Sequence, residues 1–330
     1  MTSETGDSWA ARTAFVTGVN GFLGAHLAEA LVERGARVVG LVRDRLAESY
    51  FQWARLHERV SVVEGDVADL ALLERALNEY EVDTVMHVAA QAIIGAANRA
   101  PLSTFESNIR GTYMLLEACR RIGTVERIVV ASSDKAYGWQ ERLPYAEEAP
   151  LAGIYPYDAS KACADILARS YHATFELPVA VTRCANLYGP GDLNYSRIVP
   201  GTVKAVLEGR RPVIRSDGTP ERDYLYIADA VNGYLALAGA VPRPDVAGGA
   251  FNFGTGAPIR VLALVRMVIE TCGRDDLEPE ILGTAGHGEI DRQYLSAEKA
   301  RAVLGWEAET PLPEGLQRTC AWYREYLQVG

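Results

Sequence analysis

Short runs rich in β-branched residues alternate with helical patterns along the first half of the chain, and this alternation limits the possible folds more than any other feature. A strand, a helix and a further strand form a βαβ unit, which builds a parallel sheet with helices on both faces. We therefore predict an α/β fold with a Rossmann-type, doubly wound parallel sheet. The predicted strands are Thr13–Thr17, Arg37–Val42, Val60–Val63, Thr84–Val88, Arg127–Ala131 and Val179–Thr182. The clearest helical patterns between them are Leu70–Tyr80, Asn108–Ile122 and Ala159–Phe175.

The chain changes character after about residue 186, where glycine and proline become frequent. Helical patterns persist there at Val199–Glu208, Ala228–Ala240 and Val261–Cys272. We interpret this part as a smaller C-terminal lobe that closes over the sheet. The predicted division is 1–185 for the sheet domain and 186–330 for the lobe, with an approximate boundary and interleaved segments.

A glycine-rich turn follows the first predicted strand and opens the first predicted helix. Such glycines permit a tight turn, close approach of the backbone to a pyrophosphate, and close packing of helix on strand. The helix N-terminus offers N–H groups and a positive dipole end to phosphates. The motif alone is weak, but its place within repeated βαβ units favours a dinucleotide-binding turn over an ordinary one. The residues assigned to this turn are Gly18, Asn20, Gly21, Phe22, Leu23 and Gly24.

The second predicted strand ends where the adenosine ribose of a dinucleotide would lie. A carboxylate there favours the free 2′-hydroxyl of NAD, whereas an arginine favours the 2′-phosphate of NADP. The strand ends at Arg43 and Asp44, which supply both, so the sequence leaves NAD and NADP open. Asp66, after the third strand, fits two roles equally well: contact with the adenine amino group, or N-cap of the helix that begins at Leu70.

Two segments carry reactive side chains. Tyr157 and Lys161 are four residues apart in a helical pattern, so both side chains lie on one face. A nearby ammonium stabilises a phenolate and lowers the tyrosine pKa, and an oxidised nicotinamide ring adds a second positive charge. Ser133, Asp134 and Lys135 follow the fifth predicted strand, at the edge where open α/β sheets bind ligands. A YxxxK pair is common on surfaces, but the two segments together indicate a reactive site.

The composition disfavours several other functions. The net charge of −10 argues against a nucleic-acid surface, and no stretch reaches the roughly 18 apolar residues of a membrane span. Residues 1–11 lack the order of a signal peptide. The 5 cysteines form no CxxC pair, as in reduced cytosolic proteins, and the 5 histidines have no metal-ligand spacing. We therefore expect a cytoplasmic protein without a metal site.

These features together resemble the extended short-chain dehydrogenase/reductase family, in its nucleotide-sugar epimerase and dehydratase branch. The resemblance covers nearly the whole chain. The segments that carry it are TGVNGFLG at 17–24, Gly65-Asp66, His87 to Gln91, Ser107-Asn108 before Gly111-Thr112, the Ser133/Tyr157/Lys161 set, RCANLYG at 183–189, Arg222 to Asp229, Arg292 to Tyr294, and Ala300 to Trp306.

The resemblance implies a role for many of these positions. Tyr157 would be the base, Lys161 would tune it, and Ser133 would hydrogen-bond the sugar hydroxyl, with a tightly bound cofactor that is recycled within one turnover. Family dimers pair two helices of each subunit, so we expect a homodimer built on Asn108–Ile122 and Ala159–Phe175. The further cofactor contacts implied are Val67, Ala89, Ala90, Gln91 and Asn108. The implied contacts to a nucleotide-diphosphate sugar are Asn186, Arg222 and Arg292.

Asp134 and Lys135 bear on the reaction within this branch. Sugar-nucleotide 4,6-dehydratases of the family carry Asp and then Glu after the serine, as acid and base for water loss, whereas epimerases usually carry small or hydroxyl residues. This chain keeps Asp134 but has Lys135 in place of Glu, and Ser-Asp-Lys most resembles the CDP-glucose 4,6-dehydratase group. We expect an NDP-hexose 4,6-dehydratase, with a 4-epimerase as the alternative. The base that acts at C5 and the nucleotide base stay open.

Overall fold

The computed structural model describes residues 9–284 and 290–328, and a seven-stranded parallel sheet forms the centre of these residues. The strands in chain order are β1 Thr13–Thr17, β2 Arg37–Val42, β3 Ser61–Glu64, β4 Thr84–His87, β5 Arg127–Ala131, β6 Val179–Cys184, β7 Asn186–Tyr188, β8 Val213–Ile214, β9 Glu221–Arg222, β10 Tyr224–Tyr226, β11 Ala250–Phe253, β12 Ile259–Arg260, β13 Glu280–Ile281 and β14 Arg292–Gln293. The large sheet has the order β11-β6-β5-β4-β1-β2-β3. Small sheets pair β10 with β7, β13 with β8, and β9 with both β12 and β14.

Helices cover both faces of the large sheet, as the doubly wound prediction requires. The helices in chain order are α1 Phe22–Glu33, α2 Tyr50–Trp53, α3 Leu70–Glu79, α4 Ile94–Arg99, α5 Pro101–Phe105, α6 Gly111–Ile122, α7 Pro156–Phe175, α8 Ile198–Leu207, α9 Ile227–Ala240, α10 Val261–Thr271, α11 Glu298–Leu304 and α12 Leu312–Leu327. Side chains of α3, α6 and α7 form the core on one face, whereas α1 and α9 contribute to the core on the other. The predicted fold class is confirmed.

The predicted strands agree closely with the observed ones. β1, β2 and β5 have the predicted bounds. β3 and β4 differ from the prediction by one residue at their ends, and β6 continues for two residues more, to Cys184. The sequence analysis missed β11, a run of four buried residues that pairs in parallel with β6. Residues beyond 186 thus supply an edge strand to the large sheet. The division near 185/186 was predicted with interleaved segments, and it stays a prediction.

No helix within residues 9–284 and 290–328 is long and apolar enough to cross a membrane.

Candidate active site

A cavity of about 1170 Å³ lies at the carboxyl edge of the large sheet. Parallel strands present their carboxyl ends at one edge, so segments that are distant along the chain meet there. Ligand cavities commonly have volumes of about 300–1,000 Å³, so this cavity has room for a dinucleotide beside a second ligand. Its wall includes Gly18 and Asn20 to Gly24 after β1, Arg43 and Asp44 after β2, Asp66 and Val67 after β3, Ala89 and Ala90 after β4, Ser133 to Lys135 after β5, Tyr157, Asp158 and Lys161 on α7, and Asn186, Arg197, Arg215 and Arg222 beyond β6.

The glycine turn has the geometry that a pyrophosphate needs. Gly18 has φ +68°, and a Cβ placed on it would lie 2.8 Å from the Cα of Ala89. The backbone closes tightly, since the Gly21 N–H donates to the Gly18 carbonyl at 2.9 Å. α1 begins after Gly21 without a side-chain cap from the described residues. The first N–H groups of α1 therefore border the cavity, where phosphate oxygens can accept from them.

Arg43 and Asp44, the two charges that would favour NADP and NAD respectively, both line the cavity where the adenosine ribose is predicted to lie. The Arg43 Nε donates to the Asp44 carboxylate at 2.7 Å, and Arg43 Nη1 donates to Ser107 Oγ at 3.1 Å. The N-cap alternative for Asp66 is wrong, because Asp69 caps α3 by accepting from the Leu72 N–H. Asp66 instead accepts from the Ala68 N–H at 2.8 Å and lines the cavity. Its contact with adenine stays a prediction.

Ser133 links the two reactive segments. It caps a short 3-10 turn at Asp134–Tyr137, where its Oγ accepts from the Lys135 N–H at 3.2 Å and donates to Asp134 Oδ1 at 3.0 Å. The Tyr157 side chain also hydrogen-bonds Ser133. The Ser133 hydroxyl can turn toward either acceptor, Asp134 Oδ1 or the Tyr157 oxygen, and its contact with Tyr157 lowers the pKa of that tyrosine. A carboxylate, a serine and a tyrosine thus form one connected group in the cavity wall.

Lys135, the departure from the family pattern, is held by a residue from a distant segment. Its ammonium donates to the Oε1 of Gln293 in β14, and the buried Gln293 donates from Nε2 to the Asp134 carbonyl at 3.0 Å. Lys135 also lines the cavity. Gln293 lies within the segment Arg292 to Tyr294 that carries the family resemblance, but the sequence analysis assigned it no role at this site.

Burial dominates the pKa values of both Lys161 and Tyr157 in the protein residues alone. The buried Lys161 ammonium donates to the Ala131 carbonyl at 2.7 Å, and burial lowers the pKa of Lys161 to about 8. Burial raises the pKa of Tyr157 to about 12, against opposing contributions from Arg197 and from the hydrogen bond with Ser133. In the protein residues alone, the loss of hydration disfavours the phenolate more than the surrounding charges favour it. The predicted lowering also includes the charge of the oxidised nicotinamide, so it stays a prediction.

Asp158 was not among the predicted site residues. It is buried on the first turn of α7 and lines the cavity beside Tyr157. Burial raises the pKa of Asp158 to about 6; the charge of Lys135 opposes this rise and that of Asp134 adds to it. Its position next to Tyr157 in the sequence was the one signal that might have identified it.

Asn108 and Gln91, predicted to contact the cofactor, do not line the cavity within the described residues. Asn108 lies in a π-helical turn before α6, where its Oδ1 accepts from the Gln91 N–H at 2.7 Å and its Nδ2 donates to Ser160 Oγ at 2.9 Å. Ser160 in turn donates to the Tyr157 carbonyl at 2.7 Å. Asn108 is buried, and it connects the end of β4 to α7. Its position therefore supports the helix that carries Tyr157.

Of the three residues predicted to contact the nucleotide sugar, two line the cavity and one does not. Asn186 and Arg222 line the cavity, and Asn186 Nδ2 donates to the Asp223 carbonyl at 3.1 Å. Arg292 is exposed, pairs with Glu221 at 2.7 Å, and lies outside the described cavity wall. Arg197 and Arg215 line the cavity but were missed. A single arginine carries little signal in a sequence, since most arginines are surface residues.

The fold agrees with comparisons to known proteins. The model of the NAD dependent epimerase/dehydratase family matches residues 14–254, so the chain belongs to that family. The glycine turn, with its uncapped helix start, fits the NAD named in that description.

Similar individual proteins include both dehydratases and epimerases. The chain is 34% identical to a dTDP-glucose 4,6-dehydratase of Streptomyces antibioticus, over 94% of this chain and 92% of the relative. It is 28% identical to a CDP-glucose 4,6-dehydratase of Salmonella typhimurium, over 97% of this chain and 92% of the relative. A solved UDP-glucose 4-epimerase of Thermotoga maritima, with UDP-glucose, superposes with a TM-score of 0.87 at 29% identity, over 96% of this chain and 99% of that one.

Proposed function

We propose that the protein is an NDP-hexose 4,6-dehydratase. The observation that carries this proposal is the hydrogen bond from Ser133 to Asp134 at 3.0 Å, in the same cavity wall where Ser133 also contacts Tyr157. Loss of water requires an acid beside the oxidation site, and Asp134 supplies a carboxyl group there. Similarity to two 4,6-dehydratases over most of the chain supports the same proposal.

In this mechanism, each residue has a separate task. Ser133 holds the C4 hydroxyl of the sugar, and Tyr157 accepts its proton. When bound, NAD supplies the acceptor for the C4 hydride, the donor that returns it to C6, and a positive charge on its oxidised ring. A ketone at C4 makes the C5 proton acidic, so a base in the site removes that proton while Asp134 protonates the departing C6 hydroxyl. A proton returns to C5 when the hydride is delivered to C6. Asn186 and Arg222 are proposed to contact the diphosphate, within a lobe that binds the nucleotide sugar.

A 4-epimerase is the second candidate. The likeness to a UDP-glucose 4-epimerase structure favours it, because that protein shares the fold over almost its whole length. The same serine, tyrosine and lysine would serve both reactions, but hydride would return to the opposite face of C4. Asp134 would then be a bystander.

The product distinguishes these candidates. We would incubate the protein with glucose and mannose linked to CDP, dTDP, UDP, GDP and ADP and record the mass of each product. A dehydratase yields a 4-keto-6-deoxy sugar that has lost one water, whereas an epimerase yields an isomer of unchanged mass. Isomerisation without loss of water from any substrate would refute the dehydratase proposal.

The purified protein is expected to contain NAD and to need none added. The proposed reaction returns the hydride within one turnover, so release of the cofactor serves no purpose. The measurement is chromatography of the supernatant after denaturation. Gly18→Ala should reduce the NAD content per folded protein, because Gly18 has φ +68° and its Cβ would meet Ala89 at 2.8 Å. Gly239→Ala is the control, since no atom lies within 4 Å of its Cβ.

Absence of any dinucleotide in the supernatant, with activity strictly dependent on added NAD or NADP, would contradict the recycling mechanism.

We also predict a homodimer. Leu115 and Leu116 of α6 pack in the core, but Ile166 of α7 is 55% exposed and Leu102 of α5 is 71% exposed. In a dimer, contact between the exposed sides of these helices in two copies would cover Ile166 and Leu102. Ile166→Asp is expected to shift the protein from dimer to monomer in light scattering, since it places a charge in the apolar contact. Ile154→Asp is the matched control, because Ile154 is even more exposed but lies before α7.

A wild-type protein that scatters as a stable monomer at micromolar concentration would rule out the dimer.

A further inference from the structure

Buried polar side chains form a continuous hydrogen-bond network from the glycine turn to the helix that carries Tyr157. Each of them is at most 3% exposed, and none belongs to the described cavity wall. Because they do not line the cavity, they can affect the reaction only by positioning other groups. In order, this His87 network runs through Thr17, His87, Thr112, Asn108 and Ser160.

His87 joins the two loops that border the part of the cavity predicted to hold NAD. It is the last residue of β4 and lies opposite Thr17, the last residue of β1. Its Nδ1 is 2.8 Å from the Thr17 hydroxyl, whose oxygen accepts from the Val88 and Ala89 N–H groups at 3.2 and 3.1 Å. Gly18 and Ala89, next to these contacts, line the cavity. His87 thus holds the glycine turn against the loop that follows β4.

The other ring nitrogen connects His87 to α6. Its Nε2 is 2.9 Å from Thr112 Oγ1, and the Thr112 hydroxyl donates to the Asn108 carbonyl at 2.6 Å. Without that proton two acceptor oxygens would face each other, so the Thr112 oxygen accepts from His87 Nε2. Burial, and to a smaller extent the charge of Lys161, lowers the pKa of His87 to about 3, so the ring is neutral near neutral pH. A neutral ring has one N–H, and His87 Nδ1 therefore accepts from Thr17.

From Asn108 the His87 network continues to α7. Asn108 Nδ2 donates to Ser160 Oγ at 2.9 Å, and Ser160 Oγ donates to the Tyr157 carbonyl at 2.7 Å. Asn108 Oδ1 accepts from the Gln91 N–H at 2.7 Å, which ties the loop after β4 to the same residue. A displacement of Thr112 would therefore be transmitted to the position of Tyr157.

We propose that His87 is a positioning residue with two separate tasks. Its Nδ1 side holds together the two loops that retain NAD, and its Nε2 side places the helix that carries Tyr157. The second task rests on the proposed function, because it requires that Tyr157 accept the proton at C4, a step that the dehydratase and the epimerase share. The first task requires only that the site hold NAD.

Asparagine and glutamine each replace one side of the ring. In His87→Asn the amide oxygen takes the place of Nδ1 and accepts from Thr17, but the contact with Thr112 is lost. In His87→Gln the amide nitrogen takes the place of Nε2 and donates to Thr112, but Thr17 loses its acceptor. We expect His87→Asn to retain NAD and to lower kcat about tenfold, the effect of one lost hydrogen bond. We expect His87→Gln to release NAD about tenfold faster, with near-normal kcat when loaded.

Two further pairs of measurements separate positioning from stability. Thr112→Val removes the hydroxyl and should lower kcat as His87→Asn does, whereas Thr112→Ser retains the hydroxyl and should keep kcat near normal. These variants test the inference even if a His87 variant does not fold. The control is His172→Gln, since His172 Nδ1 hydrogen-bonds the Leu177 carbonyl at 2.9 Å outside the cavity wall. It should lower thermal stability without changing NAD release or kcat.

NAD release is measured without substrate, by adding excess ADP-ribose and quantifying the freed NAD by chromatography after filtration. Normal release in His87→Gln, together with normal kcat in His87→Asn and Thr112→Val, would overturn the inference even if these variants melt at lower temperature. Equal changes of release and kcat in both His87 variants would refute the two separate tasks.

The proposed function fails independently of this inference. If the wild-type protein isomerises a nucleotide hexose without loss of water, the dehydratase is refuted, and kcat of the isomerisation still tests the second task. If it converts no nucleotide hexose, NAD release alone decides, and an unchanged rate in His87→Gln refutes the inference.

Discussion

Tyr157→Phe is expected to lower kcat by about 10²–10⁴-fold, which is the usual loss when a positioned acid–base group is removed. The phenyl ring keeps the volume of the side chain, and Ser133 keeps its hydrogen bonds with Asp134 and Lys135. The fold and the bound NAD should therefore persist. Steady-state turnover, thermal unfolding and NAD content measured on the same preparation test all three expectations.

The matched control is Tyr171→Phe. Tyr171 lies on the same helix, and its hydroxyl contacts Glu117 at 3.4 Å, away from the cavity. We expect near-normal kcat for this variant. If Tyr157→Phe also retained near-normal turnover, Tyr157 would have no part in the reaction.

Asp134→Asn is expected to oxidise the sugar at C4 and then stop before elimination. The ketone at C4 activates the C5 proton but does nothing for the C6 oxygen, which must leave as water and needs a proton. An amide cannot supply that proton, although its oxygen can still accept from Ser133. In a single turnover, we expect the near-ultraviolet absorbance of reduced nicotinamide to appear and persist, with product formation reduced about 10²–10⁴-fold.

The same variant separates the two candidate reactions. A 4-epimerase loses no water, so Asp134→Asn would leave its turnover within a few-fold of normal. Asp245→Asn serves as the control, because Asp245 is an exposed carboxylate paired with Arg243, outside the cavity wall. Undiminished turnover in Asp134→Asn would exclude the dehydratase.

Most of the sheet could be predicted because each buried strand is a continuous apolar run bounded by turn residues. β11 could not be predicted, since a buried asparagine, Asn252, interrupts the apolar run of Ala250–Phe253. Asn252 is accommodated by hydrogen bonds to Tyr137 at 2.8 Å and to the Tyr145 carbonyl at 2.9 Å. Both partners are more than 100 residues away in the sequence, where no local pattern connects them to this strand.

The features of the site also divide into those that the local sequence predicts and those that depend on the assembled fold. Glycine spacing and the four-residue separation of Tyr157 and Lys161 are local, so they were readable from the sequence. The pairing of Asp192 with Arg197 and the contact of Gln293 with Lys135 depend on the packing of loops onto the sheet edge. The effect of burial, which raises the pKa of Tyr157, could not be predicted from the sequence for the same reason, since burial is a property of the assembled fold.

The place of β11 at the sheet edge has a consequence for synthesis of the chain. Ribosomes release the N-terminus first, and domains tend to fold as they emerge. Until residue 253 has emerged, β6 has one neighbour only, and its other side presents unpaired N–H and C=O groups to any chain nearby. A nascent or truncated chain that ends before Ala250 should therefore aggregate rather than persist as a separate Rossmann unit, whereas in the longer chain β11 covers β6 and takes the edge position itself.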